Sequence, residues 1–201
     1  MILPGLIAFV LAGGTTIAAD TGCVCETAGE QDAWCEQHQV GYLASIPIPS
    51  RRLFETMDAH GHDLDLDSFD CDVCRQGIRN DGFCTEHRVG FVQGKVYFSR
   101  LTHVVAQGER KSVADIECPV CRRNAEDVGW CDTHGIGMIG NVAVRDRRAF
   151  EDAVEAVRIL RIAIEAAERC TRCADAIVTD TTCPVCRIRY TGGAPVTTPP
   201  D

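Results

Sequence analysis

The sequence predicts a small α+β fold assembled from tandem repeats, with one long helix near the C-terminus, and three observations carry that expectation. The first is a cysteine spacing that recurs four times along the 201 residues and uses all thirteen cysteines. In three copies it reads as a Cys pair, nine residues, then Cys-x-x-His or Cys-x-x-Cys: Cys71, Cys74, Cys84 and His87; Cys118, Cys121, Cys131 and His134; Cys170, Cys173, Cys183 and Cys186. The remaining copy, Cys23, Cys25, Cys35 and His38, opens with a pair one residue tighter. The second observation is that the similarity continues past these residues, through a glycine and an apolar stretch to a Ser or Asp followed by Arg. The third is the segment from Asp146 to Arg169, whose apolar residues fall at helical spacing.

Thirteen Cys and three of the six His make sixteen candidate ligands, which divide into four sets with nothing left over. A Zn²⁺ ion in a closed site takes four S or N ligands in a tetrahedron, and residues two apart can turn inward from one tight backbone knuckle. A disulfide framework is the competing explanation. An odd number of cysteines would strand a thiol, and the fourth position is His in three copies and Cys in the last, an exchange that a metal accepts and a disulfide does not. No His directly follows a Cys-x-x-Cys, which excludes covalent haem attachment. The all-cysteine set also suits iron in a rubredoxin-like site. Four Zn²⁺ per chain are expected, and they supply folding energy that units of about 40 to 50 residues cannot draw from buried apolar surface alone.

Taken in order, residues 1–20 read as a secretory signal peptide. Met1 to Ala19 carries no charged side chain, and its apolar run before Gly13-Gly14 is short for a bilayer span. A periplasmic or secreted protein with no stable membrane span after cleavage is expected; a cytoplasmic location follows if the segment is instead a buried core element. Module 1 is assigned to 21–62, an acidic linker to 63–68, module 2 to 69–110, module 3 with its long helix to 115–169, a truncated module 4 to 170–192, and a disordered tail to 193–201.

Within the modules, Gly41, Gly90 and Gly137 each stand three residues after the ligand His and open the apolar stretches YLASIPI, FVQGKVYF and MIGNVAV, read as strands or hairpins. Ser50, Ser99 and Asp146, followed by Arg51, Arg100 and Arg147, are N-cap candidates for the helices that come next. Each unit is therefore a double knuckle, a β-strand or hairpin, and a helix, and the fourth stops before its own strand and helix. In the long helix, Phe150, Ala153, Val154, Val157, Leu160, Ile164 and Ala167 form one apolar stripe, which Ile159, Ile162, Ala163 and Ala166 widen. The stripe is expected to pack beneath the strands and the last module, with self-association as the alternative use of its wider part.

Two further features compete for a role. His60, His62, Asp63, Asp65, Asp67 and Asp70 could gather a labile divalent ion, although a solvated acidic linker explains them more simply. His103, inside the helix expected over SRLTHVVAQ, reads as a core or surface residue and not a ligand. The formal charge of −9 lacks the positive stripe with which zinc-finger proteins displace counterions, so no nucleic-acid partner is expected.

The four clusters, over residues 23–38, 71–87, 118–134 and 170–186, resemble zinc-ribbon and related knuckle-type zinc-finger modules. That resemblance implies tandem zinc-ribbon-like repeats with structural sites. The stretch Trp34-Cys35-Glu36-Gln37-His38 is similar to a cysteine-histidine segment of some bacterial heavy-metal efflux adaptor proteins, which implies a metal-homeostasis setting. Closed Cys₃His and Cys₄ sites leave no open coordination position for catalysis. The expectation is a non-enzymatic exported scaffold that presents its modules to a protein partner, with periplasmic metal trafficking as the alternative. An enzyme would need an incomplete site, for which the irregular Cys23-x-Cys25 pair is the one candidate.

Overall fold

The computed structural model describes Cys25 and residues 31–196; the expected signal segment, Cys23 and most of the expected tail lie outside the described residues. Unit one comprises β1 (Trp34–Cys35), β2 (Val40–Leu43), β3 (Ile46–Ile48) and α1 (Arg51–Met57). Unit two follows with β4 (His62–Asp63), α2 (Asp72–Asn80), β5 (Phe83–Cys84), β6 (Val89–Val92), β7 (Lys95–Tyr97) and α3 (Arg100–Gln107). Unit three contains β8 (Glu109–Arg110), α4 (Pro119–Ala125), β9 (Val128–Cys131), β10 (Ile136–Ile139), β11 (Val142–Val144) and the long α5 (Arg147–Ala167). Unit four is α6 (Thr171–Thr179) with β12 (Tyr190–Thr191) and β13 (Ala194–Pro195).

Each apolar stretch folds into two antiparallel strands joined by a two-residue turn: Leu43 faces Ile46, Val92 faces Lys95, and Ile139 faces Val142. Such turns match strand twist when their central residues adopt positive φ. Ala44 and Ser45 do so at φ 49° and 66°, without glycine. An aspartate supports the turn from the strand side: Asp32 Oδ1 accepts from Ala44 N–H at 2.7 Å, and Asp81 Oδ1 from Gln93 N–H at 2.8 Å. In unit three the backbone carbonyl of Asp127 accepts from Gly140 N–H instead, at 2.9 Å.

The helices start where the sequence predicts. Ser50, Ser99 and Asp146 accept from Leu53, Thr102 and Ala149 N–H at 3.3, 3.0 and 2.7 Å. Four residues past each cap stands a ring, Phe54, His103 or Phe150, that lies directly on Gly41, Gly90 or Gly137, so that a Cβ on any of these glycines would collide with it. The repeated glycine is thus a seat for an aromatic ring.

Three features depart from the sequence reading. The first two ligands of units two, three and four ride on a helix and not on a free knuckle: Cys71, Cys118 and Cys170 are N-cap residues of α2, α4 and α6, with Cys74, Cys121 and Cys173 in the first turn. The periodicity of these seven- to nine-residue helices is short and interrupted by charge, which hides it. Next, the fourth unit does have strands: β12 pairs with β13, so Ala194 and Pro195 are ordered where a disordered tail was expected, and Gly193 rests against Ile159 and Ile162 of α5. Finally, β4 and β8, which precede the clusters, join the sheets of the units after them, giving the orders β4-β7-β6-β5 and β8-β11-β10-β9.

The units share one core. Leu43, Ile48 and Leu53 of unit one, Leu101 and Val104 of α3, Ile139 and Val142 of unit three, Val157 and Leu160 of α5, and Ala174 and Ile177 of α6 form a single buried cluster. On α5 the expected stripe is buried at Phe150, Ala153, Val157, Leu160 and Ala163, while Val154 is exposed and Ile159, Ile162 and Ile164 are partly covered. No helix among the described residues is long and apolar enough to cross a membrane.

Candidate metal centres

Four groups of Cys and His side chains converge, each with its ligand atoms within 4.8 Å of one another: Cys25, Cys35 and His38; Cys71, Cys74, Cys84 and His87; Cys118, Cys121, Cys131 and His134; Cys170, Cys173, Cys183 and Cys186. Cys23, the expected fourth member of the first group, lies outside the described residues. The three complete groups share one construction. The helix N-terminus brings the first two thiols and a tight turn brings the fourth ligand; the third comes from the end of β5 or β9, and in the fourth unit from Cys183, which follows the single bridge of Thr182 with Arg189. The residue after that ligand has left-handed backbone every time: Gln39, Arg88, Gly135 and Arg187, at φ 53°, 56°, 60° and 59°.

Separations within the groups are those of ligands around a common centre. The imidazole Nδ1 faces sulfur in each His-containing group, at 3.5 Å from Cys35, 3.4 Å from Cys74, 3.6 Å from Cys84, and 3.4 Å from both Cys121 and Cys131. In the fourth group, Cys170 Sγ lies 3.9 Å from Cys183 Sγ and 3.8 Å from Cys186 Sγ. Metal–sulfur bonds of about 2.3 Å arranged as a tetrahedron put sulfurs about 3.8 Å apart, and a shorter bond to nitrogen draws that edge in slightly. Cys/His clusters of this geometry point to metal-binding modules.

No relative identifies them further. The chain matches no protein-family model, no curated protein and no solved structure. The zinc-ribbon resemblance therefore rests on spacing, and the helical first pair is a departure from a simple double knuckle.

The electrostatics of the groups follow from that construction. Burial alone would push the Cys84 thiol up. The His87 and Glu86 backbone N–H groups and the His87 ring donate to its sulfur and bring it down to about 7. Cys131 in unit three is brought down to about 7 in the same way by His134, and Cys183 in unit four chiefly by the backbone N–H of Cys186, with the Cys186 N–H 3.3 Å from its sulfur. Burial, with help from the neighbouring sulfurs, pushes Cys74 and Cys121 up to about 12. In each of the three complete groups the turn thus eases ionisation of one thiol, and a cation displaces the remaining protons.

A second repeated device braces each turn. The residue before the third cysteine is aromatic, Trp34, Phe83 or Trp130, and its ring meets Phe54, His103 or Phe150 at 5.9, 5.5 and 5.4 Å. The Arg after each N-cap lies over that same ring: Arg51, Arg100 and Arg147 sit 5.8, 3.8 and 4.6 Å from the centroids. Sequence reading found the Arg and the Gly but not this stack, although an aromatic immediately before Cys35, Cys84 and Cys131 was there to see.

The acidic linker does not assemble a site. His62 faces Asp58 and Phe98, Asp63 lies 3.8 Å from Lys95, and Asp65 accepts from Ser68, so these residues turn to separate partners. Among the described residues they contribute to no group of potential ligands. His103 is buried, 3% exposed, as the ring of unit two.

Proposed function

We propose that the chain is a non-enzymatic exported protein that binds four structural zinc ions and serves as a protein-interaction scaffold. The observation that carries the metal part is the convergence of three complete tetrads, and a fourth group of Cys25, Cys35 and His38, at tetrahedral edge lengths. Zinc is favoured by the donor set, since Cys₃His and Cys₄ tetrahedra are its usual structural sites. The Cys23 thiol would complete the first one. Four protein ligands per ion leave no coordination position for a substrate, which supports a structural and not a catalytic role. Export rests on the uncharged apolar segment before Ala19. For the partner, Val73, Val120 and Val185, one beside each complete group and exposed at 41%, 41% and 68%, offer apolar contact points.

Native mass spectrometry with elemental analysis of the purified chain tests this directly. Four zinc ions are expected; a metal-free protein with intact disulfides would sink the proposal.

One observation favours the second reading, metal trafficking. The fourth ligand of every group, His38, His87, His134 or Cys186, is exposed, which leaves each ion a route of exchange. Loss of ions to a moderate chelator within seconds, with the fold intact, would move the assignment to metal transfer. Unfolding on chelation keeps it with the scaffold.

A further inference from the structure

The three complete groups share one burial pattern: the first ligand half-buried, the second and third buried, the fourth exposed. In the second and third groups the exposed corner is imidazole, so each offers solvent a single accessible thiol. Cys71 and Cys118 have as thiol neighbours only Cys74, Cys84, Cys121 and Cys131, all at most 4% exposed. In the fourth group the exposed corner is Cys186, and its sulfur lies 3.8 Å from that of half-buried Cys170. Two reachable thiols that touch each other occur at this site alone among the three complete groups.

We infer that the fourth centre is a peroxide-sensitive site in which Cys186 and Cys170 form a disulfide and the bound ion is released. The inference rests on the zinc reading above. A metal-bound thiolate attacks peroxide, whereas imidazole offers no such route to a disulfide. The Cys186 thiolate attacks one peroxide oxygen, the O–O bond breaks, hydroxide departs, and sulfur is left as sulfenic acid. The Cys170 thiolate then attacks that sulfur, the S–O bond breaks, and a second hydroxide departs. Two electrons pass from the sulfurs to peroxide, and the ion keeps only Cys173 and Cys183.

The site's place in the fold gives its loss a mechanical consequence. Cys173 and Cys183 are buried in the shared core. Outward, α6 clasps two other units: Asp175 pairs with Arg52 and accepts from Thr56 at 3.1 Å, while Arg88 reaches Asp180 at 3.0 Å and the Thr179 carbonyl at 3.1 Å. Release of the ion loosens the clasp between unit four and units one and two. The second and third sites, whose exposed corner is imidazole, keep their ions.

The test uses the full chain, purified under argon and treated with one equivalent of hydrogen peroxide, followed by native mass spectrometry and peptide mapping. The expected result is loss of the fourth site's ion while the second and third sites keep theirs, a Cys170–Cys186 disulfide, and raised hydrogen exchange over residues 170–195. Isolation without metal would overturn the zinc reading and this inference together. Four ions that resist peroxide, or that leave all sites alike, overturn this inference alone. Exchanging the corner decides the cause: Cys186→His should retain four ions and become resistant, and His134→Cys should make the third site sensitive. If Cys186→His does not fold, the converse variant suffices, since a His134→Cys site that holds its ion against peroxide contradicts the argument.

Discussion

His103 shows how much a single residue's meaning depends on its place in the repeat. Its equivalents are Phe54 and Phe150, and it fills the same seat against Gly90. Its Nε2–H donates to the Asp81 carbonyl at 3.0 Å, but its buried Nδ1 has no hydrogen-bond partner, and Gln107 donates to the same carbonyl. Replacement by the ring used elsewhere removes an unsatisfied buried nitrogen without orphaning the carbonyl. His103→Phe is expected to raise stability by about 1 kcal/mol in denaturant titration. Burial also pushes the imidazole below its ordinary value of 6.5. The unfolded chain therefore binds the proton first as pH falls, so the native protein loses stability below about 6.5, and His103→Phe should flatten that acid limb. The position of His103 in a helix was legible from its neighbours; its role was not, because an isolated His on an apolar face carries no sign of what it substitutes for.

At the scale of the element, the caps and glycines were legible because they depend on short-range chemistry. The N-cap needs only a side-chain oxygen next to free N–H groups, and Ser50, Ser99 and Asp146 supply it. Gly137→Ala tests the seat: the added methyl runs into the Phe150 ring, itself 5% exposed, and should destabilise the fold by about 1–3 kcal/mol, read from the thermal midpoint. Asp81→Ala removes the acceptor from the Gln93 N–H on an exposed turn, with an expected cost of about 0.5–1.5 kcal/mol in the same measurement. The helices α2, α4 and α6 were not legible. Their cysteines were assigned to knuckles by spacing, and nothing in seven to nine charged and apolar residues separates a capped helical turn from a loop until the sulfurs must converge.

For the whole molecule, ligand spacing predicted tandem modules, whereas the apolar residues of α1, α3, α5 and α6 meet in one core. Which surface a helix's stripe will cover is a long-range property and leaves no local mark in the chain. Because Leu160 is fully buried at the centre of that core, Leu160→Ala should cost about 2–5 kcal/mol and destabilise every unit together. The pH response of the metal sites has a defined sign. Ligand thiols must be ionised, so acidification through about 7, where Cys84, Cys131 and Cys183 take up protons, should weaken binding in a competition titration with a chromophoric chelator.

The strands β4 and β8 bear on how the chain meets a protease. Segments between modules are ordinarily the extended, accessible stretches that a protease threads into its own cleft. Here His62 and Asp63 lie opposite Val96 and Lys95, and Glu109 and Arg110 lie opposite Ala143 and Val142, so a cut at either junction must first peel a strand from the neighbouring sheet. Limited digestion should consequently not liberate intact single-ion fragments at residues 62–63 or 109–110. The chain spaces its cysteines like beads, but a protease would encounter it as woven cloth.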